Sequence, residues 1–164
     1  MKIVAAFDSF KGSLSAQDIV TIVGKAVRTT LPNATITELP LADGGEGTTE
    51  ALEHYLNASW QICNAHDALM RPITTKYAIS SNGTTAIMDM ASAAGLTLLS
   101  SEERNPMLTT TFGVGEMLKD AISKGCKHIL LGIGGSATND AGIGMLAALG
   151  VKFYDNHKRE VTPI

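Results

Sequence analysis

Two cysteines in 164 residues, Cys63 and Cys126, are too few and too far apart for a disulfide framework or a cysteine-based metal site. Aromatic residues make up only 5% of the chain. No basic stripe accompanies them, since 13 Lys and Arg stand against 16 Asp and Glu for a net charge of -3. Nucleic-acid binding therefore has no compositional support. No apolar run is long enough to span a bilayer. The amino terminus opens into a strand-like segment, without the basic start, apolar stretch and cleavage site of a secretory signal. These absences lead to the expectation of a cytoplasmic globular protein with no nucleic-acid or membrane partner.

What is present points to a packed α/β chain. Apolar residues reach 45% and charged residues 18%, which argues against disorder. The chain is long enough to bury a sizeable core. Sixteen glycines fall mostly in clusters, the sign of special backbone positions rather than of linkers.

Residues 3–7 form a short apolar run rich in strand formers, ending at Asp8. A helix is predicted next, opened by the capping pair Ser15 and Asp18. Ile19, Ile22, Val23, Ala26 and Val27 recur there at helical spacing. A second strand over 34–41 and a second helix over 48–56 complete a β-α-β-α start, the pattern of a parallel sheet covered by helices. The character then changes. Residues 60–65, 73–79 and 85–90 read as strands without helices between them, and Asn82-Gly83 signals a hairpin. Helical spacing returns at Met117, Leu118, Ala121 and Ile122, with Gly125 suited to the helix end. A strand over 127–133, a helix through Met145, Leu146 and Leu149, and a strand over 151–154 follow.

The expected fold class is thus α/β: a Rossmann-like parallel sheet with helices on both faces, plus a mainly antiparallel insertion or second α/β domain. The strands near residues 3, 36, 130 and 152 are expected in one sheet. Residues 1–58 and 105–164 would form the Rossmann-like part, and 59–104 the insertion or the start of the second domain.

Three polar loops each follow a strand and precede a helix, where open parallel sheets bind ligands. In the first, Asp8-Ser9-Phe10-Lys11-Gly12-Ser13, Lys11 can neutralise a phosphate or carboxylate. Hydroxyls of Ser13 and Ser15 and the helix start also favour an anion. A plainer reading makes the serines caps and Lys11 a surface lysine. In the second, Asp43 and Glu46 sit among Gly44, Gly45 and Gly47. Two such carboxylates can hold Mg²⁺ or accept a hydroxyl proton, or they are solvated turn residues. The third, residues 132–140, lacks the Gly-Lys-Ser/Thr ending of a P-loop. It fits the short pattern G-x-G-x-x-A, with Asp155 beyond it in the place of a ribose-binding acid. Ser136, Thr138 and Asn139 add donors that a packing turn does not need. His54, His66, His128 and His157 are scattered and pair with no nucleophile. Met88 and Met90 read as core residues, leaving Asp89 on the opposite strand face, either solvated or functional.

Taken together, DSFKGSLSA (8–16), LPLADGGEGT (39–48), RNPMLTTTFGVGE (104–116) and GIGGSATNDAGIGML (132–146) resemble the type I glycerate kinase family, in the family's order. Phe7 departs from that pattern, standing where a proline is common. The resemblance implies transfer of the γ-phosphate of ATP to D-glycerate with Mg²⁺, giving 2-phosphoglycerate, in a cleft between two α/β domains. It also implies a chain more than twice as long, so the sequence is expected to be part of one. On this basis Lys11 and Asp43 are the candidate catalytic residues. Asp8, Ser9, Ser13 and Glu46 are expected to bind substrate. Gly134, Gly135, Ser136, Thr138 and Asn139 are expected to cradle ATP, and Asp43 and Glu46 to hold Mg²⁺. Two other readings remain open: an NAD(P)-dependent oxidoreductase built on the turn at Gly132, and a non-catalytic anion-binding module.

Overall fold

The structure is a computed structural model describing residues 1–10 and 13–162, with only the backbone of His54. The architecture is α/β. Strand β1 (Lys2–Phe7), helix α1 (Ala16–Thr30) and strand β2 (Thr35–Pro40) form the first unit. The two strands are parallel, in register from Lys2 opposite Thr35 to Phe7 opposite Pro40. Parallel neighbours need a crossover, which α1 supplies. Its start is fixed by reciprocal bonds: the Ser15 hydroxyl accepts the Asp18 N–H at 3.1 Å and donates to the Asp18 carboxylate at 2.7 Å. Ile19, Val20 and Gly24 form its buried side, whereas Ile22, expected among the packing residues, is exposed. A side chain at Gly24 would collide with Glu38 of β2, which is ion-paired to Arg28.

Helix α2 (Thr48–Tyr55) leads into β3 (Ser59–His66), β4 (Pro72–Ile79), β5 (Thr85–Asp89) and, much later, β6 (His128–Gly132). These four make one mixed sheet in the order β3-β4-β5-β6, antiparallel except for the parallel pair β5 and β6. The expected turn between β4 and β5 is present. Asn82 Oδ1 accepts from the Ser80 hydroxyl at 2.7 Å and from the Thr84 N–H at 3.0 Å, and Gly83 takes φ 72°. The parallel crossover from β5 to β6 runs through α3 (Ala91–Ala94), two short 3₁₀ turns and α4 (Phe112–Ser123). Beyond it come α5 (Ile143–Ala148) and the hairpin of β7 (Phe153–Tyr154) with β8 (Glu160–Val161).

Helices cover both faces of the mixed sheet. On one, Tyr77, Ala86 and Met88 pack with Val114, Met117 and Ala121 of α4. On the other, Ala78 and Ile87 pack with Ala58 and with Leu52 of α2.

The expected single sheet of strands near 3, 36, 130 and 152 does not form among the described residues. Instead β6 pairs with β5, and the strand near 152 pairs with β8. The reason lies in β5. With Ala86, Ile87 and Met88 each fully buried, this strand is the interior one of its sheet, covered on both faces and flanked by β4 on one edge. β6 supplies the second neighbour. The strand pairing therefore crosses the boundary expected at residues 104 and 105.

Candidate active site

The loops after β1, β2 and β6, together with the end of β5, converge on one cleft of about 880 Å³. Asp8, Ser9, Ser13, Asp43, Glu46, Gly134 and Gly135 all line it. Thus seven of the expected site residues, drawn from all three loops, meet in one place.

At the first loop, Phe10 and Leu14 form a bridge, and the Phe10 carbonyl accepts from the Ser13 N–H at 2.8 Å. Asp8 Oδ1 accepts the Ser9 N–H at 2.6 Å. Lys11 falls outside the described residues. In the second loop, Gly44 and Gly47 take φ 93° and 90°, conformations that a side chain resists. Asp43 Oδ1 accepts the Gly45 N–H at 2.9 Å, which orients its carboxylate at the loop start.

The third loop sits against the second, backbone to backbone. The Gly134 N–H donates to the Gly44 carbonyl at 2.8 Å. A β-carbon at Gly134 would lie 2.5 Å from the Gly45 Cα, so only glycine permits this approach. The far end of the loop turns away. Ser136 and Thr138 bond each other at 2.8 Å, and neither they nor the exposed Asn139 line the cleft. From behind, the Ala137 N–H donates to the Ala94 carbonyl at 2.7 Å, and the Thr109 hydroxyl to the Ala137 carbonyl at 2.9 Å. Asp140 is similarly committed. It accepts from the N–H groups of Thr111, Gly142 and Gly144 at 2.9, 3.0 and 3.1 Å, tying the start of α4 to the start of α5. Burial pushes its carboxyl up, but these donors outweigh that and hold it below the usual value.

Asp89, which sequence reasoning left between two roles, is buried at the end of β5 and lines the cleft. Its two oxygens accept the Gly47 N–H at 3.1 Å, the Thr49 N–H at 3.1 Å and the Thr49 hydroxyl at 3.0 Å. It therefore caps α2 from a distant strand and holds the acidic loop in place. Burial pushes its carboxyl above the ordinary value, against the pull of those donors. Glu50, Trp60, Lys76, Ser92 and Thr97 also line the cleft and were not foreseen. Their sequence signal is weak: the pairing of β3 with β4 puts Trp60 and Lys76 on one face, and Glu50, Ser92 and Thr97 come from three other segments.

The side-chain-free backbone at Gly134 and Gly135 lets a ligand group come close beside the acidic loop. Mg²⁺ characteristically takes one or two carboxylates together with substrate phosphates and waters. Asp43 and Glu46, both on the cleft lining, are the carboxylates that could serve in this way, and among the described residues no cluster of three metal-binding side chains exists to hold an ion alone. Asp155 does not serve the dinucleotide reading. It lies in the β7–β8 turn, where its carboxylate accepts from Arg159 Nε at 2.8 Å and the His157 N–H at 2.8 Å.

Comparison with known proteins defines the class. The model of the Glycerate kinase family matches residues 3–164. The glycerate kinase of Haemophilus influenzae is 42% identical over 161 residues, covering 98% of this chain and 43% of that protein. The glycerate 2-kinase of Escherichia coli is 42% identical, covering 98% of this chain and 42% of that protein. A crystal structure from Salmonella typhimurium LT2, whose name groups it with glycerate kinase 2, superposes with a TM-score of 0.81 at 40% identity. That superposition covers 98% of this chain and 44% of the other. The chain belongs to the glycerate kinase family. It spans less than half the length of the relatives it matches. Among the described residues, no helix is long and apolar enough to cross a membrane.

Proposed function

We propose that the whole protein transfers the γ-phosphate of ATP to D-glycerate with Mg²⁺, giving 2-phosphoglycerate, and that these residues form one wall of its active site. The observation that carries this reading is the meeting of the three loops in one cleft, with glycine backbone against carboxylates. Family membership and the name of the Escherichia coli relative, a 2-kinase, support the reaction and the position phosphorylated.

Phosphoryl transfer depends on positioning and charge neutralisation more than on covalent chemistry. Gly134, whose N–H is taken by the Gly44 carbonyl, holds the loop in place, and the backbone at Gly135 meets the nucleotide phosphates. Ser136 and Thr138 keep that backbone in shape through their mutual bond, a more indirect part than direct contact with ATP. Asn139 follows them on the exposed side of the loop. Asp43 and Glu46 would hold Mg²⁺, which would neutralise phosphate charge, or one of them, Asp43 in our reading, would take the acceptor hydroxyl proton. Asp8, Ser9 and Ser13, with Lys11, hold the carboxylate of glycerate or the transferring group.

The test is product analysis on the whole protein. Phosphorus NMR of a reaction containing D-glycerate and Mg·ATP should show a phosphomonoester at the secondary hydroxyl. A product carrying phosphate on the primary hydroxyl would overturn the assignment of position. Tight binding of NADH without binding of ATP would overturn the kinase reading.

A further inference from the structure

The charge around the cleft is lopsided. Asp8, Asp43, Glu46, Glu50 and Asp89 bring five carboxyl groups to its lining. Among the described lining residues, Lys76 is the one cation. Carboxylates so grouped repel an anionic ligand, which gives weight to any cation on the wall that can turn toward it.

Lys76 is held in an unusual way. Trp60 of β3 lies opposite Ala78 of β4, which places Trp60 and Lys76 diagonally on the same face of the sheet. The Lys76 ammonium sits 4.1 Å from the centre of the Trp60 ring. Its carboxylate neighbour, Glu50 of α2, is 3.4 Å away, long for a charge-assisted bond. Both partners of this ion pair are about half exposed, with side-chain exposures of 56% and 55%. Exposed pairs of this kind add little to stability, so a competing anion can take the lysine from Glu50 at small cost. The indole ring meanwhile keeps the ammonium at the cleft wall.

We propose that Lys76, seated on Trp60 and released from Glu50, is an oxyanion-binding cation of this cleft, closing on a ligand carboxylate or phosphate. This rests on the kinase reading for the identity of the ligands, D-glycerate and Mg·ATP.

Trp60 is part of this wall, so the emission that Trp60→Phe removes reports on it. The experiment titrates the whole protein with D-glycerate alone and with Mg·ATP alone. A Trp60→Phe control isolates the Trp60 signal. One of the two ligands should shift Trp60 emission, which identifies the anion bound. Lys76→Met should abolish that shift and raise the KM for the same ligand about tenfold, with kcat little changed. Lys76→Arg, which keeps charge and ring contact, should restore most of the affinity. Glu50→Gln should lower that KM, because it frees the lysine. If the ion pair were only a structural tie, Lys76→Met and Glu50→Gln would weaken the enzyme in the same direction.

The proposal is overturned if emission responds to neither ligand, if both KM values are unmoved in Lys76→Met, or if the two variants act in the same direction. The wild-type rate of ADP release tests the kinase reading separately. An active wild type with an unmoved KM in Lys76→Met loses this site alone. An inactive wild type loses the kinase reading, while the emission titration still decides the site.

Discussion

Asp89 Oδ1 accepts both the backbone N–H and the hydroxyl of Thr49, at 3.1 and 3.0 Å, across 40 residues of sequence. This contact joins the end of β5 to the start of α2 and fixes the acidic glycine loop between them. Asp89→Ala would strand the N–H groups of Gly47 and Thr49. Stability should fall by about 2–4 kcal/mol, measured by urea unfolding. The carboxyl of Asp89 is raised in the folded state, with burial as the leading cause. Its contribution is therefore fully present below the unfolded pKa and is lost as pH rises through the folded value. Asp89→Asn should remove that pH-dependent loss, seen as a flatter unfolding midpoint across the mildly acidic range.

Asp140 should behave with the opposite sign. Its folded pKa is depressed by the donors of Thr111, Gly142 and Gly144, against the effect of burial. The stabilisation is present above the unfolded value of about 3.9 and is lost as pH falls through the lower folded value. Asp140→Asn should cost about 1–3 kcal/mol at neutral pH. The gap between variant and wild type should close as the solution is acidified. A gap that stays constant with pH would mean that the Asp140 charge adds nothing.

The contact between the second and third loops can be wedged open. At Gly134 a methyl group would meet the Gly45 Cα at 2.5 Å and the Gly45 nitrogen at 3.0 Å. Gly134→Ala should therefore cost about 1–3 kcal/mol of stability. Activity should fall further than that loss explains, because the phosphate cradle is displaced. Gly125→Ala is the control: its φ of 94° strains the backbone, but nothing lies near its β-carbon and it is away from the cleft. It should lose stability without a specific loss of kcat.

Residues 1–164 expressed alone should be less stable than the whole protein and inactive. Val4, Ile62 and Ile133 are 64%, 73% and 69% exposed, apolar surface that the rest of a longer chain can cover. One wall of the cleft cannot clamp nucleotide and acceptor in line. Melting curves and kinase rates of the two proteins check this. A turnover rate near that of the whole protein would place the entire site within these residues.

Local signals in the sequence were read well where one element decides its own structure. The Ser15–Asp18 cap, the Asn82-Gly83 turn and the position of Gly125 after α4 all depend on neighbours a few residues away. The motifs of the three loops were legible for the same reason, and their order along the chain carried the family. Strand partnership was not legible. Nothing local to residues 128–132 says that they pair with β5 rather than with β1; the partner emerges only in the folded sheet, where Ala86, Ile87 and Met88 are fully buried. Asp89 stays between two roles and Lys76 goes unnoticed on similar grounds. Each acquires its neighbours, Thr49 and Trp60, only when distant segments pack together. At Ser136 and Thr138 the hydroxyls satisfy each other, a use that motif reading could not separate from contact with a ligand.

The most direct test of the central claim is ADP release by the purified whole protein, followed with D-glycerate and with Mg²⁺ each present or omitted. ADP should form at a rate that depends on D-glycerate and falls to background when Mg²⁺ is chelated. No glycerate-dependent release under saturating Mg·ATP would contradict the assignment of this cleft to phosphoryl transfer onto glycerate.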